Sequence, residues 1–166
     1  KTNPLYRKGY RDDVTVQLLD GELPGVTGDD LGVLPKPGLL DDLKRDKSLR
    51  GMPMLVLGYG SEAKTVPANT SPRFPDSNMR KRAELATIAL DKQWIHQDQN
   101  IGKNPEQGGA CYGDSGGPSL LVSDAGTFVV GVTSTGDGPC FATNVASRVD
   151  TPAALEFVKQ YMPQKN

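Results

Sequence analysis

Gly108-Gly109-Ala110-Cys111-Tyr112-Gly113-Asp114-Ser115-Gly116-Gly117-Pro118 decides how the rest of the chain is read. Three glycines within five residues, Gly113, Gly116 and Gly117, surround an Asp-Ser pair and mark backbone held in tight, partly left-handed turns. Successive amides in such a turn point into one concavity, a nest for an anion. A serine embedded there presents its hydroxyl with donors beside it for a developing oxyanion. A bland glycine-rich loop produces Gly-Gly or Asp-Ser by chance, but not the whole run Cys-x-Gly-Asp-Ser-Gly-Gly-Pro.

Outward from that loop, 166 residues fit one domain or two small lobes sharing a core. Hydrophobic residues make up 36% of the chain, and 19 glycines with 13 prolines favour turns and short strands over long helices. A net charge of −1 argues against a nucleic-acid or anionic-membrane partner. No apolar run is long enough to span a bilayer. The chain opens Lys1-Thr2-Asn3-Pro4, with neither an initiator Met nor a signal peptide, and reads as processed or truncated. Cys111 and Cys140 are too few for a disulfide framework or a zinc site, and with one histidine no metal is expected. Nor is any cofactor. The two cysteines are either buried thiols or one disulfide, whose loop of about 30 residues would contribute roughly 3–4 kcal/mol.

Along the chain, Val14-Thr15-Val16-Gln17-Leu18-Leu19 reads as a strand preceded by the acids Asp12 and Asp13. Residues 20–36 read as a crossing loop. Pro37 opens a short amphipathic helix with Leu39, Leu40 and Leu43 on one side, ending before Gly51. Met54 to Gly60 is a buried strand ending in a turn, and 61–79 a long exposed loop containing the sequon Asn69-Thr70-Ser71, a cheap match. Arg80 to Arg82 is a solvated basic start to a strand. Residues 83–95 alternate weakly, with Ala83, Leu85, Ile88, Leu90 and Ile95 apolar, and read as either strand or helix. Leu120–Val122 and Phe128–Thr133 form a hairpin turning at Asp124-Ala125-Gly126, and Ala146–Asp150 a final strand. A helix with Leu155, Phe157, Val158 and Tyr161 follows, capped by Thr151 or Asp150, with Pro152 in its first turn.

The 108–118 loop resembles the nucleophile loop of the trypsin/chymotrypsin-like serine proteases. Gly38-Leu39-Leu40-Asp41, Gly58-Tyr59-Gly60 and Arg148-Val149-Asp150-Thr151 look most like the bacterial secreted branch of that family. The resemblance implies an all-β, double Greek-key β-barrel fold with a C-terminal helix. Residues 1–25 would end the first barrel and carry the catalytic aspartate, 26–52 would cross between barrels, 53–150 would form the second barrel, and 151–163 the helix. It favours strand for 83–95, and pairs Cys111 with Cys140, which points to a secreted, extracellular protein.

By the same resemblance Ser115 is the nucleophile, and the amides of Gly113 and Ser115 form the oxyanion hole. Asp114 anchors the loop, its carboxylate normally paired with the ammonium of a mature N-terminus. The segment Asp13-Val14-Thr15-Val16 matches the family's aspartate segment in a register that selects Asp13 over Asp12 to orient the catalytic histidine. That histidine belongs to an Ala-Ala-His-Cys-like motif upstream of Asp13, which is not in this sequence. His96, within Trp94-Ile95-His96-Gln97-Asp98-Gln99, lies at a strand-to-loop position of the second barrel and is rejected as the base.

The substrate pocket falls to Gly109, Ala110, Tyr112, Ser134, Thr135, Gly136 and Asn144. Gly109 stands at the floor, where proteases cutting after Lys or Arg carry an acid, so apolar or aromatic side chains are expected. Asp137 at the rim is the one feature able to restore a basic preference. Thr135 replaces a tryptophan usual in the family. The expectation is a serine endopeptidase acting on peptide or protein substrates, its histidine supplied by an upstream segment. The alternative is a catalytically inactive, protease-like binding protein.

Overall fold

The computed structural model describes residues 1–4, 13–28, 31–62, 75, 78–100 and 108–162. Six strands close an antiparallel barrel: Pro53–Gly58 (β1), Lys81–Leu90 (β2), Trp94–Asp98 (β3), Pro118–Ser123 (β4), Gly126–Gly136 (β5) and Thr143–Arg148 (β6). Their order around it is β1-β2-β3-β6-β5-β4, so β1 closes onto β4 through Leu55–Leu120 and Val56–Ser119. Closure leaves no free sheet edge, which lets an antiparallel sheet this small stand without edge protection. The mostly β fold and the C-terminal helix are as expected.

Alternation along the strands sends Met54, Leu90, Ile95, Leu121, Val130 and Ala146 into one apolar core. A helix of Leu39–Arg45 (α1) joins that core with Leu40, which is completely buried. Its first turn carries Asp41 and Asp42 and its last turn Lys44 and Arg45, the arrangement that opposes the helix dipole at both ends. Pro37 precedes the helix by two residues rather than opening it, because Gly38 takes the N-cap position.

Residues 83–95 resolve into two strands. Asp91 breaks the run by accepting the backbone amides of Gln93 and Trp94, each at 2.8 Å, turning β2 into β3. His96 therefore sits in mid-strand, not at a strand-to-loop position. The segment 14–19 is the clearer correction. Among the described residues it pairs through an isolated Thr2–Thr15 bridge, with Val16 N–H donating to Lys1 O at 2.7 Å. Its β-branched residues favour extended backbone, and among the described residues only 1–3 lie alongside it.

That extended segment is nonetheless fixed by packing. The helix Pro152–Lys159 (α2) buries Ala154 and Phe157 against Val14, with Val16, Val158 and Tyr161 around them. Thr151 caps it through its hydroxyl, which accepts from Ala154 N–H at 3.2 Å, and Pro152 begins it. So α2 docks partly on the Asp13 segment, which places that aspartate beside the barrel.

A polar hub absent from the sequence reading ties α1 to the barrel. The buried Arg148 guanidinium donates to Asp150 at 2.9 and 3.0 Å, to Asp41 at 2.6 Å and to Asp91 O at 2.8 Å. Asp150 in turn accepts Leu40 N–H at 2.8 Å. Burial pulls the Arg148 pKa down, but the carboxylates of Asp150 and Asp41 outweigh it and hold the charge firmly in place.

Candidate active site

The nucleophile loop is built around the Asp114 side chain. Its carboxylate accepts Gly60 N–H and Cys111 N–H, each at 2.8 Å, and so joins the end of β1 to the start of the loop. A Cβ at Gly60 would come within 2.5 Å of that carboxylate, which is why the Gly58-Tyr59-Gly60 turn carries glycine there. Gly113 adopts φ 95°, a left-handed conformation that other residues rarely take.

The loop's amides divide into two groups. Asp114 N–H donates to Cys111 O at 3.0 Å, Gly116 N–H to Thr133 O at 2.8 Å and Gly117 N–H to Asp114 O at 2.8 Å. The amides of Gly113 and Ser115 have no acceptor among the described residues, and the Ser115 side chain is exposed beside them. Two free donors flanking an exposed hydroxyl are what a developing oxyanion needs.

Adjacent residues of β5 hold this loop and Asp13. Thr133 exchanges hydrogen bonds with Gly116 and Gly117, its own N–H donating to Gly117 O at 2.8 Å. Ser134 donates its hydroxyl to Asp13 Oδ2. The pairing of β5 with β6 slips between Thr133 and Thr135, so Ser134 is the extra residue of a bulge, a device that re-aims a side chain. Asp12 lies outside the described residues, as does Asn69-Thr70-Ser71.

His96 is brought to neither Ser115 nor Asp13. Its Nε2 lies 3.2 Å from Asp91 Oδ2 at the β2–β3 turn. Partial burial pushes the Asp91 carboxyl up, but the Gln93 amide, His96 and the Trp94 amide outweigh this and hold it below the usual range.

Cys111 and Cys140 form a disulfide with Cα atoms 5.3 Å apart, linking the nucleophile loop to the segment after β5. Of the expected pocket residues, Gly109 and Ala110 line a cavity of about 340 Å³ together with Asp114, Thr133, Cys140 and Phe141. The cavity runs along the Asp114 side of the loop. Tyr112, Ser134, Thr135, Gly136 and Asn144 do not line it. Thr135 and Gly136 are exposed at the end of β5. Asn144 is buried in the barrel and donates to Gln97 Oε1 at 2.8 Å, and Ser119 donates to the same oxygen at 3.2 Å.

Two buried residues were missed by sequence reasoning. Gln97 gathers this polar layer, and Gln99 Oε1 accepts Ala110 N–H at 2.9 Å beneath the expected floor. Asp137 spends its carboxylate on its own loop, accepting Thr143 N–H at 2.6 Å, Phe141 N–H at 2.9 Å and Ala142 N–H at 3.0 Å. Burial pushes that carboxyl up, and these amides hold it below the usual range.

A closed six-stranded barrel carrying a Gly-Asp-Ser-Gly-Gly loop defines a trypsin-like domain. The Trypsin family model matches residues 30–156, more than half of the chain, and the chain belongs to the trypsin family of serine proteases. It is also similar to Lectizyme of Glossina austeni, 49% identical over 39 residues, which cover 24% of this chain and 14% of that protein. Neither match singles out the bacterial branch. No helix among the described residues is long and apolar enough to cross a membrane.

Proposed function

We infer that the chain is the nucleophile-bearing portion of a serine endopeptidase. One observation carries the reading: the amides of Gly113 and Ser115 are left without acceptors beside the exposed Ser115 hydroxyl, while neighbouring residues of β5 hold that loop and Asp13. Ser115 Oγ attacks the scissile carbonyl and gives its proton to a histidine supplied by an upstream segment. The two amides hold the tetrahedral oxyanion, at roughly 3–4 kcal/mol per donor. Asp13 holds the imidazole in the productive tautomer and offsets its charge once protonated. Asp114 anchors the loop, and the cavity on its side has room for the chain end that the family resemblance pairs with this acid.

An upstream segment is supported by Leu18, Leu19 and Leu23, which are each more than half exposed within one short stretch. The disulfide and the family support secretion. We place the substrate pocket between the nucleophile loop, at Gly109, Ala110 and Tyr112, and the end of β5, at Ser134, Thr135 and Gly136; Asn144, buried in the barrel on Gln97, stands outside it. With no acid at Gly109 and Asp137 committed to backbone amides, the pocket takes apolar or aromatic side chains.

The second reading, a protease-like binding protein, is favoured by one fact: the single histidine of the chain is tied to Asp91. A peptide library offered to the complete protein tests both. Cleavage after apolar or aromatic residues supports the first reading, and cleavage mainly after Arg or Lys overturns the apolar pocket. Binding without cleavage favours the second.

A further inference from the structure

The inward face of β3 changes character along its length. Ile95 lies in the apolar core, but the next inward residue, Gln97, is fully buried among polar side chains. In register it stands between Thr87 of β2 and Asn144 of β6, so three polar side chains, none more than 2% exposed, form one row across these strands. Asn144 Nδ2 and the Ser119 hydroxyl both donate to Gln97 Oε1, at 2.8 and 3.2 Å. That leaves Gln97 Nε2 on the side away from Asn144, where Thr87 is the neighbour in register. Neither Nε2 nor Thr87 Oγ1 has a hydrogen-bond partner among the described residues, and they do not bond each other. The Thr87 backbone is turned elsewhere. Its N–H donates to Met52 O at 2.9 Å, its carbonyl accepts Gly51 N–H at 2.8 Å, and the ladder to β3 slips between Thr87 and Ala89.

We propose that a resident water molecule occupies this site, accepting from Gln97 Nε2 and hydrogen-bonded to the Thr87 hydroxyl. Buried donors and hydroxyls are costly to leave unpaired, and internal water is the partner that folded proteins use between polar groups that miss each other. Water suits this pair because it accepts from an amide N–H and either donates to or accepts from a hydroxyl. A cation finds no carboxylate in the row and faces an N–H donor. An anion would bring net charge into a buried row that holds no cation. The site adjoins the nucleophile loop: Ser119 follows Gly117-Pro118 directly, and Gln99, two residues beyond Gln97, holds Ala110 N–H at 2.9 Å. The water therefore completes the polar packing next to both ends of that loop, and its presence does not depend on the chain being catalytic.

Thr87→Val tests the site, because the sign of its effect differs between a bridged hydroxyl and a dry one. Valine keeps the branched shape of threonine and removes the oxygen. Loss of the bond to a bound water should lower the melting temperature of the complete protein by roughly 2–4 °C. A dry, unpaired hydroxyl replaced by a methyl would leave it unchanged or raise it. High-resolution crystal structures of the parent, Thr87→Ser and Thr87→Val give the second readout. The expected result is a water peak within about 3.2 Å of both Gln97 Nε2 and Thr87 Oγ1 in the parent. Thr87→Ser, which keeps the hydroxyl, should retain it, and Thr87→Val should lose or displace it. No peak in the parent, a direct bond between Gln97 Nε2 and Thr87 Oγ1, an anomalous peak there after a bromide soak, a peak unmoved by Thr87→Val, or a melting temperature that holds or rises in that variant overturns the proposal.

Discussion

The Ser134 hydroxyl donates to the Asp13 carboxylate across 121 positions of sequence. Ser134 is the extra residue of the bulge in β5, and α2 holds the aspartate's segment through Val14. Removing the hydroxyl leaves Asp13 in place by packing but free to turn. Ser134→Ala should lower kcat of the complete enzyme about tenfold and the melting temperature by several degrees, as for one lost hydrogen bond to a charged group. Asp13→Ala should cost several orders of magnitude more. Steady-state kinetics on both variants check the ordering.

Arg148 lies between two acids, one of them fully buried. Arg148→Ala strands the Asp150 carboxylate without its cation, and unfolding in urea should show a loss of about 3–5 kcal/mol. A loss near that expected of a surface ion pair, below about 1 kcal/mol, would mean the hub contributes little.

Asp137 makes acid stability sensitive to one loop. Its folded carboxyl sits below the ordinary value of 3.8, so the stabilisation is fully present above that value and is lost as pH falls through the lower folded one. Asp137→Ala should therefore lower stability at pH 6 and flatten the decline below about pH 4. Thermal melts between pH 2 and pH 6, compared for the two proteins, read this directly.

The floor of the expected pocket resists a simple change of specificity. A Cβ at Gly109 would fall 2.7 Å from the Cβ of Gln99, whose Oε1 already holds Ala110 N–H. Gly109→Asp should destabilise the protein by about 1–3 kcal/mol through overpacking, without conferring cleavage after Arg or Lys. Denaturant unfolding and a peptide library on the same variant test both halves.

Reduction of the disulfide should cost roughly 3–4 kcal/mol, given the 29-residue separation of its cysteines. Urea unfolding of Cys111→Ala/Cys140→Ala against the parent measures it.

What could be read in the sequence was what is encoded locally. Gly113 and Gly116 take a left-handed backbone, Thr151-Pro152 spells a helix start, and the apolar runs of β1, β4 and β5 have nowhere to go but a core. What could not be read depends on distant partners. Gln97 and Gln99 look like solvent-facing strand residues and are buried because Asn144, Ser119 and the Ala110 amide meet them. Arg148 reads as surface charge until Asp41, 107 positions away, closes on it. The bond between Ser134 and Asp13 follows from a bulge that no local residue pattern announces.

The central claim is that Ser115 is a nucleophile held beside two free amides. Treating the complete protein with a fluorophosphonate probe and mapping the adduct by peptide mass spectrometry tests it most directly. The account predicts a single adduct on Ser115, abolished by Ser115→Ala and slowed by orders of magnitude when the 166-residue chain is treated alone. No adduct on Ser115 in the complete protein, or one that survives Ser115→Ala, would contradict it.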